Sequence, residues 1–125
     1  KKTAKMLYKF RPFYEISSFS CLVFKLILKN KNIVKQYIKE TLIGKKFLID
    51  NFNRLKIEFF PTNTNFILVK LDSQKIKKKI IKLFAKRNIL VMGEGKLPEG
   101  NKILRITLGP KYYMEKVINV FKNFY

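Results

Sequence analysis

Apolar residues recur along this chain with two different periods, and the change falls near residue 55. Before it, Phe19, Leu22, Val23, Leu26 and Ile27 are spaced three and four apart, one helical stripe, with Ser17 or Ser18 placed to cap the helix. Asn30-Lys31-Asn32 breaks that stripe. A longer helix then runs to about Asn53, with Ile33, Tyr37, Leu48 and Phe52 among its apolar positions and Gly44 as its weak point. This half predicts an αα hairpin with its helices close in space. After residue 55 the apolar runs shorten. Ile57 to Phe60, ended by Pro61, and Asn65 to Leu71, after the turn Thr62-Asn63-Thr64, read as strands, as do Ile89 to Met92 and Ile103 to Leu108. Asp72 or Ser73 caps an intervening helix to Arg87, with Ile76, Ile80, Leu83 and Phe84 on one face, and Asn88 ends it. Gly93 to Asn101 is a Gly/Pro loop. Lys111 to about Phe124 is a closing helix with Val117, Val120, Phe121 and Phe124 on its inner side. The order ααββαββα predicts an α+β fold: an αα hairpin followed by a small, mainly antiparallel four-stranded sheet with helices packed on it.

Length fits one domain, residues 1–125, with a modest core, and an apolar fraction of 47% excludes a disordered chain. No apolar run reaches the 18 residues a membrane span needs. The net charge of +20 suits polyphosphate binding through counterion release. Yet Lys, Asn and Ile make up 49 of the 125 residues while Ala occurs twice, a bias toward A/T-rich codons that can build a basic surface without a binding purpose. The densest cluster, Lys75, Lys77, Lys78, Lys79, Lys82 and Lys86, fits a solvated helix face. The central strands lack the exposed, alternating aromatics of an RNA-stacking platform. With one cysteine, Cys21, and no histidine, an internal disulfide, a Cys/His metal set and a His-based triad are all excluded. Cys21, among Phe19, Leu22 and Val23, reads as a buried small hydrophobe rather than a nucleophile, and a single thiol agrees with a reducing cytoplasm. Gly93-Glu94-Gly95 is too short for a phosphate-binding loop.

One residue resists this bland picture. The chain has four arginines, Arg11, Arg54, Arg87 and Arg105, against 24 lysines, so where only positive charge is needed it uses Lys. Arg105 stands inside the apolar run Leu104-Arg105-Ile106-Thr107-Leu108-Gly109, which alternation divides into Leu104, Ile106 and Leu108 on one face and Ile103, Arg105 and Thr107 on the other. Its planar fork matches a carboxylate or phosphate bidentately. A structural ion pair with an Asp or Glu, or a solvated strand edge, accounts for the same pattern.

Taken in order, Arg11-Pro12-Phe13-Tyr14, two helices, Phe60-Pro61-Thr62-Asn63-Thr64-Asn65-Phe66-Ile67-Leu68-Val69, Asn88-Ile89-Leu90-Val91 and Leu104-Arg105-Ile106-Thr107-Leu108-Gly109 resemble the C-terminal small domain of fold type I pyridoxal-phosphate aminotransferases, in a branch similar to histidinol-phosphate aminotransferase. The resemblance covers roughly residues 10 to 125. It implies that Arg105 receives the substrate's α-carboxylate. Tyr14 matches the family's Pro-x-Tyr segment, near the active-site entrance and dimer interface, and a packed aromatic anchoring the hinge is the other reading of it. Met92 stands where the histidinol-phosphate branch usually has an Arg gripping the substrate phosphate, which puts that substrate in doubt, and Tyr14-Glu15 replaces the usual Tyr-Asn. The family's Schiff-base Lys, its pyridine-binding Asp and its phosphate-binding residues lie in a large domain upstream, and no lysine here has the Ser-x-x-Lys context.

The resemblance therefore implies the small domain of a larger enzyme, with the large cofactor-binding domain absent and Lys1 marking a cut through a longer protein. No catalytic residue or metal ligand is expected within it, and the isolated chain should be inactive. The intact enzyme would be a cytoplasmic homodimer that uses pyridoxal 5'-phosphate to move an amino group from an amino acid to a keto acid. A pyridoxal-phosphate decarboxylase of the same fold and, from another class, a basic nucleic-acid-binding module are the alternatives.

Overall fold

A computed structural model of the chain describes Thr3, Met6, residues 16–93 and residues 102–124. Its elements run α1 (Ser18–Lys29), α2 (Lys31–Arg54), β1 (Phe59–Phe60), β2 (Phe66–Lys70), α3 (Gln74–Lys86), β3 (Ile103–Thr107) and α4 (Lys111–Lys122), an α+β arrangement. Arg11-Pro12-Phe13-Tyr14 and residues 94–101 of the expected loop lie outside the described residues. The chain divides into two compact units, residues 1–35 and 36–125. No described helix is long and apolar enough to cross a membrane.

Side-chain chemistry sets the helix boundaries where the sequence places them. Ser17 caps α1 by accepting from the Ser20 N–H at 3.1 Å, and Asn30 ends it, its side-chain amide donating to the Leu26 carbonyl at 2.9 Å. None of the residues of α1 is buried, although its expected stripe is present, so Cys21, expected to be a buried small hydrophobe, is exposed. Ser73, not Asp72, caps α3. The C-termini of α2 and α3 share one device. Lys56 and Asn88 take φ of 55° and 56°, and the next N–H reaches back to the last turn: Ile57 to Phe52 at 2.9 Å, Ile89 to Phe84 at 3.0 Å.

The sheet of the 36–125 unit is antiparallel with order β1-β2-β3. Its register pairs Phe60 with Leu68, Leu68 with Arg105 and Val69 with Leu104. Ile67, Val69, Leu104 and Ile106 face a core completed by Leu48 and Phe52 of α2, Ile80 and Phe84 of α3 and Met114, Val117, Ile118, Val120 and Phe121 of α4. Phe121 is its hub, meeting Phe52 and Phe84 edge to face at 5.2 and 5.7 Å between centroids.

Three further expectations change. The strand expected over Ile89 to Met92 reduces to a single bridge, Met92 with Arg105, so three strands rather than four form the described sheet. Leu90 explains it: at 95% exposure it turns its apolar side chain to solvent and adds nothing to hold a longer ladder. Lys77, assigned to the solvated face of the Lys-rich helix, is buried at 5% exposure. It lies three and four residues before Ile80 and Ile81, and its stem runs along the same side, beside Gly93.

Gly44, the expected weak point of α2, is a closest-approach site instead. A Cβ there would collide with the Gly109 carbonyl oxygen and stand 2.9 Å from the Pro110 carbonyl carbon and 3.0 Å from the Lys111 nitrogen. All three are backbone atoms of the link from β3 into α4, so nothing can swing aside. Helix propensity alone favours Ala over Gly by about 1 kcal/mol. The collision should reverse that sign: Gly44→Ala is expected to lower stability by about 1–3 kcal/mol, read as a lower urea midpoint. An unchanged or raised midpoint would remove this contact from the account of the fold.

Candidate functional site

The three helices of the 36–125 unit bury one face of the sheet, so the alternate side chains stand on the other. Phe66 and Leu68 of β2, Arg105 and Thr107 of β3, and Phe60, opposite Leu68, share that second face, and none of them is buried. Arg105 occupies its middle. Leu68 lies across from it on one side and Met92 on the other. Arg105 and Met92 exchange both backbone hydrogen bonds, Arg105 N–H to Met92 at 2.9 Å and Met92 N–H to Arg105 at 3.2 Å.

The Arg105 side chain is exposed, with its guanidinium carbon over the Phe66 ring, 4.5 Å from the centroid. No carboxylate of a described residue pairs with it, and none of its side-chain N–H groups donates to a described residue. A structural ion pair is thus absent among the described residues, and solvation alone omits the ring beneath. No described residue takes any of its five N–H donors, which suits them to an anion.

Of the three site residues expected from sequence, Arg105 and Met92 come together on this face, and Tyr14 lies outside the described residues. Beside Met92 an apolar depression of about 560 Å³ is lined by Ile81, Leu90, Val91, Met92 and Gly93. By its sequence Phe66 is one apolar residue of a strand. Its place under Arg105 follows from the pairing of Leu68 with Arg105, which sets Phe66 on the adjoining diagonal. Pairing register, unlike alternation, is not written in either strand by itself.

The described residues do not fit a pyridoxal-phosphate site. A lysine held near a buried carboxylate is what the cofactor's imine and ring nitrogen need. None of the described carboxylates, Glu40, Asp50, Glu58, Asp72 and Glu115, is buried, and the one buried lysine among the described residues, Lys77, is on α3. No described group of three or more His, Cys, Asp or Glu could hold a metal ion.

No family model matches the chain. Curated proteins do: a histidinol-phosphate aminotransferase of Brevibacillus brevis is 32% identical over 97 residues, covering 76% of this chain and 25% of that protein. Those of Clostridium kluyveri and Pyrococcus furiosus are 29% and 27% identical, covering 89% and 99% of this chain. The chain spans about a third of the length of these last two relatives, 31% and 33%. Among solved structures, a Burkholderia pseudomallei chain provisionally described as an aminotransferase superposes with a TM-score of 0.78 at 18% identity, over 97% of this chain and 36% of its own. An Erwinia carotovora atroseptica chain, provisionally described as a histidinol-phosphate aminotransferase, gives a TM-score of 0.58 at 22% identity, over 69% and 24%. Over most of its length, then, this chain is homologous to a part of proteins named histidinol-phosphate aminotransferase, and it shares its fold with a part of aminotransferase-like chains of known structure.

Proposed function

We propose that these residues are the C-terminal small domain of a pyridoxal-phosphate-dependent aminotransferase, in which Arg105 holds the α-carboxylate of the amino donor. One observation carries this reading: a guanidinium on an apolar, aromatic sheet face, backed by a ring and with no described residue using its donors. Such a group binds a planar anion through two parallel hydrogen bonds and so fixes orientation as well as position. The residues that bind and tune the cofactor would lie outside these 125. Homology to enzymes of that name along most of the chain supports the class of reaction.

Met92 bears on the choice of donor. Its side chain stands on the Arg105 face, beside the apolar depression, at the position where the histidinol-phosphate branch usually has an arginine. A thioether donates no hydrogen bond, so a dianionic phosphate placed there would lose water without gaining a charged partner. The reading is therefore a monoanionic amino acid with an unphosphorylated side chain.

In the full-length holoenzyme, Arg105→Lys should keep the charge, lose the fork and cost about 2–4 kcal/mol in kcat/KM for the amino donor. Stability should change by no more than about 1 kcal/mol, because the side chain is exposed and its one described contact is the ring. An unchanged kcat/KM would refute the carboxylate role. For Met92→Arg, kcat/KM measured over a panel of donors should rise selectively toward histidinol phosphate. A wild-type enzyme that already prefers histidinol phosphate to every unphosphorylated amino acid would refute the assignment of Met92.

A further inference from the structure

We infer that Phe66 is the positioning residue of Arg105, holding its guanidinium over the ring so that the fork meets a carboxylate already aimed; this rests on the carboxylate-binding reading of Arg105. An arginine side chain has about 2 kcal/mol of rotamer freedom to lose, and on this face no ion pair with a described residue restrains it. The ring does. Because Leu68 is the register partner of Arg105, Phe66 is the diagonal neighbour on the same face, within reach of so long a side chain. The measured 4.5 Å from Cζ to the centroid is well inside the range of a cation–π contact.

The backbone that carries the ring is itself held. The Thr64 hydroxyl donates to the Phe66 carbonyl at 3.1 Å and accepts from the Phe66 N–H at 3.4 Å. Since that hydroxyl's one proton is spent on Phe66, the 2.8 Å contact between the Thr62 and Thr64 hydroxyls must be donated by Thr62. Thr62 Oγ1 accepts in turn from the Thr64 N–H at 3.0 Å, and the Thr62 carbonyl accepts from Lys45 Nζ on α2. In the peptide unit that leads into Phe66, the Asn65 carbonyl accepts from the Leu108 N–H at 2.8 Å. A run of turn-forming residues, Thr62-Asn63-Thr64-Asn65, thus ties the backbone of Phe66 to the helix layer and to the strand that carries Arg105. The Asn65–Leu108 bond continues the β2–β3 ladder by one rung, and together these bonds fix the backbone from which the Phe66 ring projects.

Two experiments test this. In the 125-residue chain, the side-chain protons of Arg105 should show an upfield ring-current shift by NMR that is lost in Phe66→Leu and kept in Phe66→Tyr. In the full-length holoenzyme, Phe66→Leu should raise KM for the amino acid donor about two- to fivefold with a smaller change in kcat, while Phe66→Tyr stays near wild type. An amine donor lacking the carboxylate should be used equally well by all three, a result a merely structural role would not give. Phe66→Met replaces the leucine variant if that variant does not fold. No ring-current shift in the wild type, or equal losses on both donors, overturns the proposal. Impaired Arg105→Lys with unimpaired Phe66→Leu overturns it while sparing the carboxylate reading, and unimpaired Arg105→Lys overturns the carboxylate reading itself.

Discussion

Phe52 and Phe84 both meet Phe121 edge to face, and through that trio the second half of α2, α3 and α4 direct their apolar residues at a single face of the sheet. Each such ring stabilises the unit by about 1.5–3 kcal/mol through burial, more than any polar contact on its surface. The consequence is asymmetry. With three helices on one side, the other face of β1-β2-β3 has no layer over it from the described residues of the 36–125 unit. Residues that alternation sends there, Phe60, Phe66, Leu68 and Arg105, are left for purposes other than the core. Gly44 belongs to the same constraint, because only a residue without Cβ lets α2 lie against the Gly109–Lys111 link that follows the Arg105 strand.

On that open face the magnitudes separate what aims Arg105 from what it could bind. An exposed cation–π contact contributes about 0.5–1 kcal/mol, too little to justify a guanidinium in an apolar strand for the sake of stability. A hydrogen bond from a charged donor contributes about 1.5–3 kcal/mol, and a fork makes two. The ring is therefore suited to direction, and the donors that no described residue takes are suited to affinity. A lysine would serve poorly on both counts, since its compact ammonium neither stacks as a plane nor binds bidentately. That difference gives a physical reason for one Arg in a chain that otherwise prefers Lys.

Most of the fold was legible because helices and strands write their period into the sequence: Ser17, Ser73, Asn30 and Asn88 bound the helices they were expected to bound, and the buried residues of α3 and α4 include Ile80, Phe84, Val117, Val120 and Phe121. What failed was whatever depends on a second segment. Ile89 to Met92 has the composition of a strand, but pairing is a property of two chains, and only Met92 finds a partner. Lys77 has the composition of a surface residue, yet the side of α3 it shares with Ile80 and Ile81 is the covered one. Gly44 looked weak because propensity counts the helix and not the backbone crossing it. The site divides in the same way. Arg105 stood out by its rarity and its strand, whereas Phe66 acquires its meaning only from the register between β2 and β3.

A guanidinium that orients a carboxylate cannot by itself loosen a Cα–H bond, because that step needs an electron sink and a base. No described carboxylate is buried, the chain has no histidine, and the sheet face around Arg105 offers rings, aliphatic groups and a thioether. Under the proposed function, then, orientation and chemistry belong to different parts of the enzyme, and the aim of one fork must be right before the two parts meet around a substrate. Effective concentration gained by alignment amounts to several kcal/mol of a barrier and is lost by displacements of about 1 Å. A phenylalanine whose backbone N–H and carbonyl are both held by Thr64, under an arginine whose backbone is fixed by Met92 on one side and Leu68 on the other, is the kind of support such a tolerance demands.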